Sequence, residues 1–266
     1  MKYLFGLIGC GNMGGAIARA LSKVLDKDQL AFCDADPEKT QALATLGSVV
    51  DLEELVSESA YVFLGVKPQG MQGLFRAISP ILEKKTERTV LISMAAGTSI
   101  AAIEGYAGKR IPVIRIMPNT PVSVGEGMVL YSANDLVTKE EKDLFLSAMA
   151  KAGRLDEIAE GQIDAASALS GCGPAFVYLF AEGLADGAVE CGLSRDKANL
   201  YAAQTLLGAA RLLLESGKHS AELKDAVCSP GGTTIAGVHA LEAGAFRASS
   251  MEAVEAAYKR TLELKK

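Results

Sequence analysis

Six residues near the N-terminus, Gly9-Cys10-Gly11-Asn12-Met13-Gly14, have the types and spacing of a phosphate cradle. Glycines at this spacing have separate jobs. Gly9 permits a tight turn, Gly11 lets the backbone approach a pyrophosphate, and Gly14 lets a strand and a helix pack closely. The helix that starts at Asn12 and Met13 then offers unpaired N–H groups and a partial positive charge to an anion. A glycine-rich turn alone could be structural. Placed between a first apolar strand and a helix, with a second strand following, it points to a bound dinucleotide.

The second strand runs into Asp34, twenty positions after Gly14. A carboxylate there accepts hydrogen bonds from the adenosine ribose and repels a 2′-phosphate, which favours NADH over NADPH. Asp36 adds a second negative charge, and the nearest cation, Lys39, lies beyond a proline. The plainer reading makes Asp36 a helix cap and Asp34 a turn residue.

Three further strands end in unusual sequence: Val66-Lys67-Pro68, Ala95-Ala96-Gly97 and Pro118-Asn119-Thr120-Pro121. Small residues at 95–97 suit close approach to a nicotinamide ribose, and the two prolines stiffen a loop that presents Asn119. Each segment alone is ordinary loop chemistry; together, at one sheet edge, they suggest a site. Near the other end, Cys228-Ser229-Pro230-Gly231-Gly232-Thr233-Thr234 precedes a helical pattern. Hydroxyls and free N–H groups there form a concavity for a small carboxylate, or merely a capped helix with a flexible entry.

The elements that must position these residues fall into two halves. Up to about Leu155, short apolar runs (Tyr3 to Gly9, Leu30 to Cys33, Tyr61 to Val66, Thr89 to Met94, Val113 to Met117) alternate with helical stretches. Uniformly apolar strands imply a parallel sheet covered on both faces. Beyond Gly161 the strand signals stop. Ile163 to Gly192, Ser194 to Ser216 and the stretch from Thr234 onward read as helices rich in Ala, Leu and Gly. The expected domains are a dinucleotide-binding 1–158 and a helical 159–266. So many apolar positions in the second half predict burial against another subunit, hence a homo-oligomer.

Of 266 residues, 49% are apolar and the formal net charge is −5, so a packed core is expected and a basic nucleic-acid face is not. A buried first strand explains MKYLFGLIG better than a signal peptide. Ala175 to Gly192 carries Glu182, Asp186 and Glu190, which suits a buried helix better than a membrane span. Five widely spaced cysteines without a C-x-x-C pair suggest reduced thiols in a cytoplasm. With only His219 and His239 present, no metal site is expected.

The run from Cys228 to Glu242 resembles the signature of pyrroline-5-carboxylate reductases. The resemblance extends through GLIGCGNMG, GVKP, SMAAG, RIMPNTP, LSGCGPAF and LKDAVCSPGGTT, in that order, and covers essentially the whole chain. It implies reduction of 1-pyrroline-5-carboxylate to L-proline, the last step of proline synthesis. It also implies a Rossmann-type domain followed by an all-α dimerisation domain, with dimers that build rings in some members. In that family the active site lies between the coenzyme domain of one subunit and the helical dimer interface.

By resemblance, Ser229, Gly231, Gly232, Thr233 and Thr234 hold the substrate carboxylate; Asn119, presented by its stiffened loop, is a further expected substrate-binding residue. The Thr234 hydroxyl contacts the ring nitrogen and steadies its charge or assists proton delivery. An imine accepts hydride readily, so positioning at about 3–3.5 Å is the main catalytic task. Two departures stand out. Many family members prefer NADPH, against the lean from Asp34. Cys172 also stands where the family pattern S-G-S-G-P-A has a small hydroxyl residue, and a buried, non-catalytic thiol is expected there.

Two alternatives stay open at this point. A β-hydroxyacid dehydrogenase shares the two-part layout but needs a helical lysine, and Gly173 to Gly187 contains none. A non-enzymatic dinucleotide sensor could keep GCGNMG but has no use for SPGGTT.

Overall fold

The computed structural model describes residues 1–263. The chain divides into two compact units: Met1–Gly171 together with the end of the last helix from Tyr258, and Cys172–Ala257.

The first unit is built on β1 (Tyr3–Ile8), α1 (Asn12–Leu21), β2 (Leu30–Cys33), α2 (Pro37–Gln41), β3 (Ser48–Val49), α3 (Leu52–Glu58) and β4 (Ser59–Leu64). It continues through α4 (Met71–Lys84), β5 (Val90–Ser93), α5 (Ile100–Ala107), β6 (Val113–Met117), β7 (Gly127–Ala133), α6 (Lys139–Ala148), β8 (Gly153–Glu157) and α7 (Ile163–Ser170). The strands form one sheet in the order β3-β2-β1-β4-β5-β6-β7-β8. Strand order reverses between β1 and β4, so the ligand crevice of such a sheet opens at the carboxyl ends of these two strands.

The sheet is covered on both faces. One apolar cluster gathers Phe5, Leu7, Phe32, Phe63 and Ile17 of α1; the other gathers Val62, Leu64, Leu55 of α3, Phe75 of α4 and Ile103 of α5. Odd and even positions of a strand point to opposite faces. Strands buried on both sides therefore read as continuous apolar runs.

The sheet is parallel as expected except at one pair. β7 pairs antiparallel with β6, and β8 then pairs parallel with β7. Both lie beyond the last strand foreseen from the sequence. β8, Gly153-Arg154-Leu155-Asp156-Glu157, is an edge strand with a polar face, so it lacks the apolar run that marks the others.

The second unit contains α8 (Gly173–Glu190), α9 (Arg195–Ser216), α10 (Ser220–Val227), α11 (Thr233–Ala243) and most of α12 (Phe246–Glu263). The helix expected over Ile163 to Gly192 is interrupted at Gly171, and α10 was not foreseen. α8 and α9 close on a small core of Ala185, Ala198 and Ala202. Within the single chain α8 buries only Ala185, contrary to the expectation of a buried helix. Its apolar side chains instead face outward: Leu179 is 70% exposed and Tyr178 63%. Exposed apolar surface on this scale marks an interaction face.

Candidate active site

The coenzyme cradle is assembled where β1 and β4 end. Gly9 adopts a left-handed φ of 92°, and a Cβ on it would lie 2.6 Å from the Gly65 carbonyl oxygen. Gly65 is reciprocally pressed against the Gly9 carbonyl, at 2.7 Å. Two glycines on neighbouring strands thus let the backbones meet at the switch point. Gly65 was missed from the sequence because YVFLGV reads simply as a strand; its place beside the first glycine of the fingerprint emerges only from the β1–β4 register.

Gly14 is needed for the same reason, since an added Cβ would overlap the Gly9 carbonyl oxygen. Gly11 differs: nothing lies within 4 Å of its added Cβ, which leaves open space beside the helix start. α1 has neither a side-chain cap nor an acidic residue in its first turn. The leading N–H groups of a helix lack intrahelical partners, so the Asn12 end of α1 suits a pyrophosphate.

Asp34 stands just past β2 with its side chain 12% exposed. One oxygen accepts the Cys10 N–H at 2.6 Å and the other accepts the Asp36 N–H at 2.9 Å. Asp36 caps α2 through the Glu38 N–H, as the plainer reading held, while Lys39 lies 3.3 Å from Asp36 and 4.0 Å from Asp34. Burial drives the Cys10 thiol up to about 12, with the Asp34 charge adding to the effect. That thiol is protonated at neutral pH and acts as packing.

The other predicted coenzyme residues lie along the same carboxyl edge. Val66, Lys67 and Pro68 follow β4, with Lys67 exposed. Ala95, Ala96 and Gly97 follow β5 in a turn closed by the Thr98 N–H on the Ala95 carbonyl, with Gly97 at φ 72°. Asn119 follows β6, but its side chain faces inward. It donates to the Ser170 carbonyl and accepts the Met128 N–H, both at 2.9 Å. One donor and one acceptor of the amide are thereby spent on shaping the loop.

Ser229, Gly231, Gly232, Thr233 and Thr234 belong to the second unit, at the start of α11. Gly231 has φ 68°, Gly232 is the N-cap residue without a side-chain cap, and a Cβ on Gly232 would overlap the Ser229 hydroxyl. The chain folds back so that Ser229 closes over Gly232 and the first amides of α11 keep no side-chain acceptor. Such an end binds an anion without arginine. Cys172 is exposed in the single chain, contrary to the burial expected, because it sits at the α7–α8 break.

A cavity of about 470 Å³ between the ends of α3 and α4 lies at the opposite edge of the sheet, lined by Glu53, Glu58, Lys84 and Lys85 among others. Ligands of doubly wound sheets bind at the carboxyl edge, so this cavity is set apart from the site.

The chain is similar to known proteins over its full length. Residues 160–264 match the family model for pyrroline-5-carboxylate reductase dimerisation, and residues 4–97 match that for NADP oxidoreductase, coenzyme F420-dependent. A pyrroline-5-carboxylate reductase of Pisum sativum is 40% identical over 267 residues, covering 99% of this chain and 96% of that protein. The structure of a pyrroline-5-carboxylate reductase from Coxiella burnetii superposes with TM-score 0.91 at 32% identity, covering all of both chains. The enzyme of Plasmodium falciparum, solved with NADP bound, gives TM-score 0.88 at 32% identity over 99% of this chain and 98% of that one.

Proposed function

The chain belongs to the pyrroline-5-carboxylate reductase family, and from that premise we infer its reaction: hydride transfer from NAD(P)H to the C=N bond of 1-pyrroline-5-carboxylate, giving L-proline, the last step of proline synthesis. It is a nicotinamide-dependent oxidoreductase acting on an imine. The observation that carries this reading is that each unit holds a helix start without a side-chain cap. One, at α1, is framed for a pyrophosphate by Gly9, Gly11 and Gly14; the other, at α11, is framed for a carboxylate by Ser229, Gly231 and Gly232. The sensor and the β-hydroxyacid dehydrogenase are not favoured, since curated relatives about 40% identical over nearly the whole chain are named pyrroline-5-carboxylate reductase.

The open space at Gly11 and the start of α1 without a side-chain cap support the fit of a dinucleotide's pyrophosphate there. When bound, that group supplies the hydride. The chain's own task is to bind and orient. Gly9, Gly11, Asn12, Met13 and Gly14 cradle the pyrophosphate, Asp34 takes the adenosine ribose, and Val66 to Pro68 with Ala95 to Gly97 border the nicotinamide half. Ser229 to Thr234 hold the substrate carboxylate, and the Thr234 hydroxyl steadies the ring nitrogen. Asn119 serves by shaping its loop.

We assign NADH as the preferred coenzyme. Two carboxylates, Asp34 and Asp36, stand at the end of β2 against one ammonium, Lys39, which leaves net negative charge where a 2′-phosphate is recognised in this fold. The chain carries a dimerisation segment, and we assign the contact to the exposed apolar faces of the second unit. Five free cysteines accord with a reducing cytoplasm.

Initial rates with NADH and NADPH on pyrroline-5-carboxylate, set against a 3-hydroxy acid in reverse, test the assignment. Turnover of the imine with a higher kcat/KM for NADH is expected. Binding of coenzyme without imine turnover would move the assignment to the sensor.

A further inference from the structure

Two residues of β6 and its exit loop fasten α7 at both ends. The Arg115 guanidinium, 4% exposed, meets Asp164 at 3.1 Å and Glu160 at 3.3 Å. Four positions on, Asn119 holds the Ser170 carbonyl at the far end of the same helix. Glu160 reaches further: its Oε1 also accepts the Ile100 N–H at 2.6 Å.

Ile100 opens α5, three residues after Gly97. The first amides of a helix have no partner inside it, and a carboxylate placed there is also favoured by the helix dipole. Ser99 takes the Ala102 N–H and Glu160 takes that of Ile100. Held by a buried guanidinium, the Glu160 carboxylate has little freedom to swing away. It therefore fixes where the Ala95-Ala96-Gly97 turn stands at the carboxyl end of β5.

We propose that Glu160 is a positioning residue for the nicotinamide coenzyme: anchored by Arg115, it locks the turn at residues 95–97 through the Ile100 amide. This rests on the reading of that turn as a coenzyme contact. Glu160 acts through the turn, so its effect belongs in coenzyme affinity and not in the hydride step.

The test uses full-length Glu160→Ala and Glu160→Gln, with reduced-coenzyme fluorescence titrations, initial rates and melting curves. Glu160→Ala is expected to raise the coenzyme Kd and KM about tenfold, the low end for one lost hydrogen bond to a charged acceptor. The kcat at saturating coenzyme and the imine KM should stay within about twofold, the pattern of lost uniform binding. Glu160→Gln keeps an acceptor for Ile100 and should restore most of the affinity. A lower melting temperature with an unchanged coenzyme Kd would show a merely structural residue and overturn the proposal.

Gly97→Ala separates the premise from the inference. If Gly97→Ala weakens coenzyme binding and Glu160→Ala does not, the turn keeps its role and Glu160 loses its own. If neither variant changes binding, the turn is no coenzyme contact and the proposal falls with it.

Discussion

The Asp34 carboxylate accepts the backbone N–H of Cys10 at 2.6 Å, tying the end of β2 to the middle of the glycine loop. A residue expected to recognise a ribose also holds the pyrophosphate loop in shape. Asp34→Asn should therefore lower kcat/KM for both coenzymes, since one amide oxygen cannot serve both the Cys10 and Asp36 amides as well as two carboxylate oxygens do. With a charge removed, NADPH should lose less than NADH, by about tenfold in the ratio. Paired initial rates check this; an unchanged ratio would separate Asp34 from coenzyme choice.

Gly14 and Gly11 should part company on substitution to alanine. At Gly14 the new Cβ overlaps the Gly9 carbonyl oxygen, so strand and helix must separate at a cost of about 1–3 kcal/mol. Gly14→Ala should lower both Tm and coenzyme affinity. At Gly11 the Cβ meets only open space. Stability should then stay within about 0.5 kcal/mol, while coenzyme affinity drops because the methyl fills the pyrophosphate approach. Melting curves and fluorescence titrations distinguish the two.

Arg115→Met removes a buried guanidinium from between Glu160 and Asp164. Taking one partner from a buried charge cluster costs about 3–5 kcal/mol. Adding Asp164→Asn to Arg115→Met should recover part of that loss. Urea unfolding of the native chain and of the single and double variants measures it. A single variant as stable as the native chain would mean the cluster contributes little, and no recovery in the double would mean the unpaired Asp164 charge is not the cause of the loss.

Lys85 offers a pH signature. Its Nζ donates to the Val56 and Ser59 carbonyls, and burial lowers its pKa from 10.5 to about 8. Between those values the unfolded chain binds more protons than the folded one, so this group's contribution to stability increases as pH rises from 8 to 10.5. The denaturation midpoint of the native chain should gain on that of Lys85→Met across this window. A difference flat with pH would mean the ammonium is not desolvated.

Thr234→Ala should reduce kcat by about 10²-fold if its hydroxyl serves the ring nitrogen, at the low end of general acid–base contributions. Thr234→Ser should recover most of the rate, since the hydroxyl returns to the same helix start. Single-turnover rates at saturating coenzyme check this, and an unchanged rate would leave only carboxylate binding to the segment.

Local physics made part of this protein readable from residues in order. The turn at Gly9 to Gly14 needs glycines within one short segment, and the Asp36 cap forms within three residues of its partner. Apolar runs such as Leu30 to Cys33 declare a doubly covered strand because alternate residues face opposite layers. What sequence order could not reveal depends on register and crossover. Gly65 matters because β4 lies beside β1, and β8 escaped notice because an edge strand has no second layer to demand apolar residues. Arg115, Glu160 and Ile100 meet across 15 to 60 positions of chain, and Asn119 turns inward to Ser170 across 51. Their residue types are those of any loop or strand end. Only the tertiary fold, with β6 beside α5 and the start of α7 near it, brings one guanidinium, one carboxylate and one helix amide into the same few ångströms, where the burial of Arg115 makes an anionic partner obligatory.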